Sequence, residues 1–347
     1  MISSFTSPLL ADDYLELVNP LWSTRELRGR VERVERETAD AVTVLIRPGW
    51  SWPGHEPGQY LRLGIAVDGI HHWRAYSLTS DPGRADGCIA ITPKLVPGGK
   101  VSPFLCSRMK PGAIVRLGGV EGSFVLPQEL PERLLFITAG SGITPVMSML
   151  RSLARRGELR DVVHLHCARD ADSVVFARDL AELAADHPGY RLERWLTGRR
   201  GRLQPEQLAG VCGDWSEREA FLCGPSGLLA AISGHWADRA DPARLHLEHF
   251  QPPERVGEGE RGRGGQVTFR RSGVVGASDG EQPILQAGER AGAKLAFGCR
   301  MGICHSCVGR LRSGQVRDLR TGRVHGQPGE ELRTCINAPE GAIEIDL

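Results

Sequence analysis

Four cysteines near the C-terminal end constrain this chain more than any other feature. Cys299, Cys304 and Cys307 stand in FGCRMGICHSC, a C-x4-C-x2-C run, and Cys335 follows after 27 intervening residues. That is the plant-type ligand spacing for a [2Fe–2S] cluster, in which a short loop brings three thiolates and a distant segment supplies the fourth. Backbone amides must approach the cluster sulfurs closely, and the small residues Gly298, Gly302 and Ser306 permit it. The alternative is a structural zinc site with four cysteine ligands. Such sites usually pair their ligands in two short knuckles, and Cys335 has no partner of that kind. The spacing predicts a one-electron centre.

The rest of the composition excludes several classes. Lys+Arg 43 against Asp+Glu 42 gives a near-neutral balance, so nothing points to nucleic acid. With 41% hydrophobic and 24% charged residues, the 347-residue chain reads as two or three globular domains. No window approaches the roughly 18 uninterrupted apolar residues of a membrane span. The opening MISSFTSPLLADDYLELV is acidic where a signal peptide needs a basic start. The other five cysteines, Cys88, Cys106, Cys167, Cys212 and Cys223, are scattered and odd in number, which does not suggest a disulfide framework. A cytoplasmic protein is expected.

Texture along the chain predicts a multidomain protein. Residues 1–25 form an N-terminal extension. Residues 26–128 carry short β-branched runs (RGRVERV, AVTVLIRP, YLRLGIAV) punctuated by Gly, Pro and Asp, which predicts an antiparallel β-barrel. Residues 129–250 alternate strands and helices, as in an α/β domain with a parallel sheet. Residues 251–265, QPPERVGEGERGRGG, read as a flexible linker, and residues 266–347 as a compact unit holding the cysteine loop.

Two motifs in the barrel suit a phosphorylated flat-ring cofactor. In RAYSLTS, Arg74 can neutralise a phosphate, while Tyr76, two residues on and on the same strand face, can stack on a ring. Ser77 is placed to hydrogen-bond the ring edge. In PGGKVSPFL, Gly99, Lys100, Val101 and Ser102 precede a helix whose first amides can take a phosphate. Two phosphate contacts favour FAD over FMN. In the α/β domain, the turn GSGITP brings backbone amides to a pyrophosphate with a helix dipole behind them. It reads G-x-G-x-x-P, so the ordinary dinucleotide fingerprint is absent. FLCGPSG places Cys223 at the carboxyl end of a strand, where ligands of parallel sheets sit. A small buried apolar residue is the plainer reading of that cysteine.

R-x-Y-S, G-x-x-S, GSGITP and CGP in this order resemble the ferredoxin–NADP reductase superfamily over residues 26–250, and the C-terminal 82 residues resemble a plant-type ferredoxin of β-grasp fold. The resemblance implies Arg74 and Ser102 on the flavin pyrophosphate, Tyr76 against the isoalloxazine and Ser77 near its reactive N5. It implies Thr138, Gly140, Gly142 and Thr144 around a nicotinamide dinucleotide, with Cys223 and Gly224 beside the nicotinamide. Glu248 and Phe250 match the family's carboxyl end beside the flavin; Ser77, Cys223 and Glu248 are thus the expected catalytic residues. The whole chain, through DDYLELVNPLWSTRELRGRV and RPGW, is also similar to actinobacterial reductases serving fatty acyl-CoA desaturases.

Flavin converts between hydride and single-electron transfer, so the expected route runs from nicotinamide through FAD to the cluster. Arg169, after one strand, and Arg199, Arg200 and Arg202, after the next, favour NADPH over NADH, whereas Asp170 could reach a bare ribose. His164 and His166 alternate in an apolar strand and read as buried sheet; His71 and His72 are expected in a strand-joining turn. No oxygen-activating site is evident, which leaves the acceptor on another polypeptide. Three readings compete: reductase of a membrane-bound acyl desaturase, reached at the membrane through that partner; reductase of a soluble oxygenase; or a redox-sensing regulator.

Overall fold

Period-two runs such as Val42, Val44 and Ile46 turn one face inward, and they do so here in a closed antiparallel sheet. The computed structural model describes residues 11–250, 262–297, 302 and 307–347. A helix, α1 (Ala11–Val18), leads into a 3-10 turn, Pro20–Trp22, capped by Asn19, whose side chain accepts from the Leu21 amide at 3.0 Å. Six strands follow: β1 (Arg28–Thr38), β2 (Ala41–Pro48), β3 (Tyr60–Val67), β4 (Ile70–Ser77), β5 (Ile89–Ile91) and β6 (Ile114–Glu121). Their order is β4-β3-β6-β1-β2-β5, and Leu78, just past β4, bridges to Ile91 of β5 to bring the edges together. Helix α2 (Val101–Ser107) buries Val101 and Leu105 in the barrel core. His71 and His72 lie within β4, not in the turn before it; the reversal is made by Asp68 and Gly69, both at positive φ.

Five parallel strands build the second layer: β7 (Leu134–Ala139), β8 (Val162–Ala168), β9 (Tyr190–Leu196), β10 (Glu219–Cys223) and β11 (Leu245–Glu248). Their order is β11-β10-β7-β8-β9. Helices α3 (Ile143–Arg156), α4 (Ala177–Asp186), α5 (Thr197–Arg200), α6 (Leu208–Val211) and α7 (Ser226–Arg239) connect them. Strands β7 and β8 are mostly apolar and almost wholly buried because both faces are covered. Strand β11 has no counterpart in the strand pattern read from sequence, since four residues, LHLE, carry too little alternation to stand out.

Two histidines interrupt that apolar run. Thr138 Oγ1 lies 2.8 Å from both His164 Nε2 and His166 Nδ1, and His164 Nδ1 lies 2.8 Å from the Tyr190 hydroxyl. All four side chains are buried. The pair is held as neutral imidazole: burial pushes His164 well below its ordinary range, and burial, with Lys94 adding, takes His166 down to about 4.

The chain divides into two compact units, and the second runs from Phe250 to Leu347 apart from a short piece of β4. It contains β12 (Gly265–Phe269), β13 (Val274–Ser278), α8 (Ile284–Arg290), β14 (Val308–Ser313), β15 (Val316–Asp318), β16 (Val324–His325), β17 (Glu331–Arg333), β18 (Asn337–Pro339) and β19 (Ile343–Asp346). Strands β12 and β19 run parallel at the centre of the sheet β13-β12-β19-β14-β17, with Ile284 of α8 in its core. Residues 262–265, which composition assigns to the linker, belong to this unit. A Cβ on Gly265 would stand 1.9 Å from the Gly341 carbonyl oxygen, so glycine serves close backbone approach there.

The histidine network makes stability depend on pH. The unfolded chain takes up a proton on residue 166 near pH 6.5, the folded chain not until about 4. Between those values the unfolded state binds more protons, so stability falls as pH drops through the window, by about 3 kcal/mol for His166 alone. Urea titrations at pH 7.5, 6 and 5 should show this fall, and His166→Gln should flatten it; an unchanged slope would refute the assignment.

Candidate functional site

In open parallel sheets ligands sit outside the carboxyl ends of the strands, where the strand order reverses. Here the reversal lies between β7 and β10, with β8 on one side and β11 on the other. Two motifs meet there. After β7 the chain makes a 3-10 turn, Gly140–Gly142, and enters α3 directly. A Cβ on Gly142 would lie 2.2 Å from the Cys223 carbonyl oxygen and 2.8 Å from the Gly224 nitrogen. Only glycine lets the GSGITP turn press against the CGP turn this closely. Gly140 takes a positive φ of 55°. No side chain caps α3, so its first amides face the crevice without a side-chain acceptor, which suits a pyrophosphate. The Thr144 hydroxyl donates to the Ser141 carbonyl at 2.9 Å and shapes the turn. Thr138 differs from expectation: its hydroxyl is taken up by the two histidines, so only its main chain is on offer.

Register places Thr138, Cys223 and Glu248 side by side across β7, β10 and β11. Cys223 is fully buried, and burial, with the Glu248 carboxyl beside it, pushes its thiol well above the ordinary value. It is a thiol, not a nucleophilic thiolate. Burial raises Glu248 to about 7, so near neutrality its carboxyl can hold or release a proton. Phe250, two residues on, is half-buried. The loops after β8 and β9 are also tied together. The Gly198 amide donates to the Arg169 carbonyl at 2.8 Å and the Thr197 hydroxyl to the Ala168 carbonyl at 3.3 Å, which sets Arg169 and Arg199 on adjoining loops. Asp170 is engaged: it accepts from the Ser173 amide at 2.9 Å and pairs with Arg169 at 3.2 Å. Arg200 stacks over Trp195 at 4.1 Å and pairs with Glu193 at 2.8 Å.

In the barrel, Arg74, Tyr76 and Ser77 share β4, with Tyr76 packed against the barrel core. Arg74 donates to the Trp73 carbonyl at 2.7 Å. At the start of α2, Ser102 Oγ accepts from the Val96 amide at 3.0 Å, which leaves its own proton as the donor. Gly99 is closely packed, with an added Cβ 3.0 Å from the Val96 carbonyl; Lys100 is exposed and Val101 buried. What sequence reasoning missed is the tie between the two sites. Along α3, Ser148, Arg151 and Arg155 grip the residues that follow Ser77. Ser148 donates to the Ser80 carbonyl at 2.6 Å, Arg151 to the Thr79 carbonyl at 2.6 Å, and Arg155 pairs with Asp81. The signal available was their three- and four-residue spacing on one helix face.

In the second unit, Cys299 and Cys304 lie outside the described residues. Cys307 and Cys335 are buried together with Leu285 and Ile336. The Gly302 amide donates to Cys335 Sγ at 3.1 Å, and Thr334 donates to the Cys307 carbonyl through its amide at 3.0 Å and its hydroxyl at 2.8 Å. An amide aimed at a buried sulfur, from a glycine at φ +74°, is what a thiolate-held cluster requires. The residues present fit the group.

Three family descriptions match in chain order: an oxidoreductase FAD-binding domain over residues 52–126, an oxidoreductase NAD-binding domain over 136–234, and a 2Fe-2S iron–sulfur cluster binding domain over 268–340. Fold and sites together thus define an electron-transferring flavoprotein with an iron–sulfur unit in the same chain. An NADPH oxidoreductase of Mycobacterium tuberculosis is 50% identical over 345 residues, covering 99% of this chain and 90% of that protein. The stachydrine N-demethylase reductase subunit of Rhizobium meliloti is 30% identical over 348 residues, covering 94% and 97%. Phthalate dioxygenase reductase shares the fold, with a TM-score of 0.62 over 92% of this chain and 97% of that one at 20% identity. This chain belongs to that family of NAD(P)H-dependent reductases, which join FAD-binding, NAD-binding and 2Fe-2S domains in one polypeptide. It is an oxidoreductase using a nicotinamide, FAD and a [2Fe–2S] cluster.

Gly142→Ala tests the junction of the two turns. The new methyl must displace the Cys223 carbonyl by about an ångström, and misplacement on that scale costs on the order of 100-fold in rate. Reduction of bound flavin by the nicotinamide should slow by about that factor in stopped flow, with flavin content unchanged. A wild-type rate would show that the turn is not the nucleotide site.

Proposed function

We propose that this chain takes reducing equivalents from NADPH and delivers them one at a time to a separate oxygen-activating enzyme. The supporting observation is the press of the GSGITP turn on Cys223–Gly224, with α3 gripping the residues that follow Ser77. When bound, the flavin accepts a hydride and releases single electrons to the cluster. The chain's own residues do the rest. Gly140, Gly142 and the first turn of α3 receive the pyrophosphate, and Thr138 and Thr144 hold the turn's shape. Cys223 and Gly224 bound the nicotinamide pocket, with Glu248 beside them. Arg74 and the Gly99–Ser102 helix start neutralise the flavin phosphates, Tyr76 supports the ring, and the buried Ser77 faces its edge. Cys299, Cys304, Cys307 and Cys335 hold the cluster.

The donor is NADPH because Arg169 and Arg199 sit on tied loops at the carboxyl ends of β8 and β9, while Asp170 is occupied by Ser173 and Arg169. The Mycobacterium tuberculosis relative carries NADPH in its name. Removing one charge-assisted contact to a 2′-phosphate is worth about 1.5–3 kcal/mol. Arg169→Ala and Arg199→Ala should each lower kcat/KM for NADPH by at least about tenfold and leave NADH within about twofold. An equal loss with both cofactors would refute the assignment.

For the acceptor we favour a membrane-bound acyl desaturase with an iron site. No helix among the described residues is long and apolar enough to cross a membrane. The N-terminal segment nevertheless exposes apolar side chains: Leu17 is 77% and Val18 73% exposed, with Tyr14, Leu15 and Trp22 also out in solvent. Leu21 alone of this group is buried, and Glu16 pairs with Arg28 at 2.9 Å, so the segment is anchored while its apolar residues stay outward. A second reading, a soluble oxygenase as acceptor, is favoured by the names of relatives that are reductase subunits of a demethylase and of monooxygenases. Reconstitution decides between them. The chain with NADPH should support oxygen-dependent desaturation in membranes holding the desaturase. The double variant Leu17→Glu, Trp22→Glu should cut that rate by about tenfold, the equivalent of about 1.4 kcal/mol of docking energy. Cytochrome c reduction should be unaffected. Electron delivery to soluble hydroxylases alone would leave the second reading standing.

A further inference from the structure

We propose that Arg333 is a positioning residue for the iron–sulfur centre: its guanidinium holds Gly302 so that the Gly302 amide stays aimed at Cys335, and thereby raises the cluster's reduction potential. The inference rests on Cys335 being a cluster ligand, as read above. Gly302 is held from three directions by one short segment. Arg333 Nη1 donates to its carbonyl at 2.7 Å, its own amide donates to Cys335 Sγ at 3.1 Å, and an added Cβ would stand 2.5 Å from Ile336 Cδ1. Thr334, in the same segment, fixes the far end of the loop through the Cys307 carbonyl, and Arg333 fixes its middle through Gly302.

The segment is itself fixed. Arg333 ends β17 and pairs with Val308 of β14, beside Cys307. Its carbonyl accepts from Asn337 Nδ2 at 3.0 Å and from the Ile336 amide at 3.1 Å. Asn337 in turn lies 3.1 Å from His325 Nε2, and His325 Nδ1 lies 2.7 Å from Glu330. With its backbone held on both sides, the arginine is a stiff lever on Gly302.

The consequence is electrostatic. A bound cluster would take up the two electrons of each hydride one at a time, and part of each added charge would fall on the ligand sulfurs. A hydrogen bond to a ligand sulfur and a nearby cation both favour the form carrying the extra electron. Arg333 supplies the second directly and secures the first. A lysine could keep the charge but not the planar donor geometry.

The test is the midpoint potential of the cluster in the full-length chain, with iron content and the electron paramagnetic resonance spectrum as controls. Arg333→Gln should shift the one-electron equilibrium toward the oxidised form by about tenfold, a fall of about 59 mV. Arg333→Lys should fall between that variant and the parent. A parent-like potential in Arg333→Gln with its cluster retained overturns the proposal. If Arg333→Gln loses the cluster, Arg333→Lys decides: a lowered potential supports the proposal, and a parent-like value overturns it. Loss of the cluster from both variants also overturns it, because the arginine would then be a structural support. A parent chain without any iron–sulfur signal would sink the cluster reading itself, which is a different result.

Discussion

The grip of α3 on residues 79–81 is the interaction on which the rest of the first unit depends. Hydride transfer requires reacting atoms about 3–3.5 Å apart, so two cofactor sites on two different sheets must be held in one geometry. The helix that begins at the GSGITP turn binds residues 79–81, just past the strand that carries Arg74, Tyr76 and Ser77. Ser148 and Arg151 reach main-chain carbonyls there, and Arg155 reaches Asp81, whose side chain is only 10% exposed. Main-chain targets make the tie independent of side-chain rotamers at residues 79 and 80. Gly83 is packed so closely under the Arg155 guanidinium that a Cβ would meet it at 2.5 Å. Under the proposed function, a helix dipole aimed at one cofactor and a polar face bound just beyond the other's strand would couple the sites through a single rigid element.

The same economy appears at the barrel's far side. Glu37 of β1 accepts from the Phe176 amide at 3.3 Å, and Thr43, which donates to Glu37 at 2.5 Å, lies 2.9 Å from Thr92. Phe176 is buried and sits at φ 61°, a conformation that a bulky residue adopts only when its surroundings hold it there. Partial burial raises the Glu37 carboxyl, and its two hydrogen bonds tie barrel to sheet.

Features set by local chain chemistry were legible in sequence: the cysteine spacing, the GSGITP turn, and the long apolar strands β7 and β8. His164 and His166 were legible as buried sheet, although their partners Thr138 and Tyr190 lie on neighbouring strands and carry no local mark. The α3 grip was not legible, because Arg151 and Thr79 are 72 positions apart and nothing in either segment names the other. Glycines misled in one place. Gly264 and Gly265 look like linker, yet they lie against the backbone of 278–280 and 341, where composition cannot tell close approach from freedom. The N-terminal segment went the other way: packing across the barrel is the ordinary fate of an apolar stretch, and most of its large side chains are exposed instead.

Electrostatics then give the nucleotide crevice a direction. At its β10–β11 end stand Cys223, kept a thiol by burial, and Glu248, half-protonated near neutral pH, so little fixed charge is present. In the middle lies the uncapped start of α3, a partial positive charge. At the β8–β9 end are the exposed Arg199 and Arg169, the latter paired with Asp170, so a net positive charge remains among these three. Potential therefore rises from neutral to positive across about three strand spacings, roughly 14 Å at 4.8 Å each. Under the proposed function, a dinucleotide with one weakly charged ring, a central pyrophosphate and a phosphorylated ribose at the other end would match that gradient in one orientation only. Reversed, it would bury a phosphate against Glu248 and leave both arginines facing a ring. Direction is thus imposed by burial at one end as much as by charge at the other.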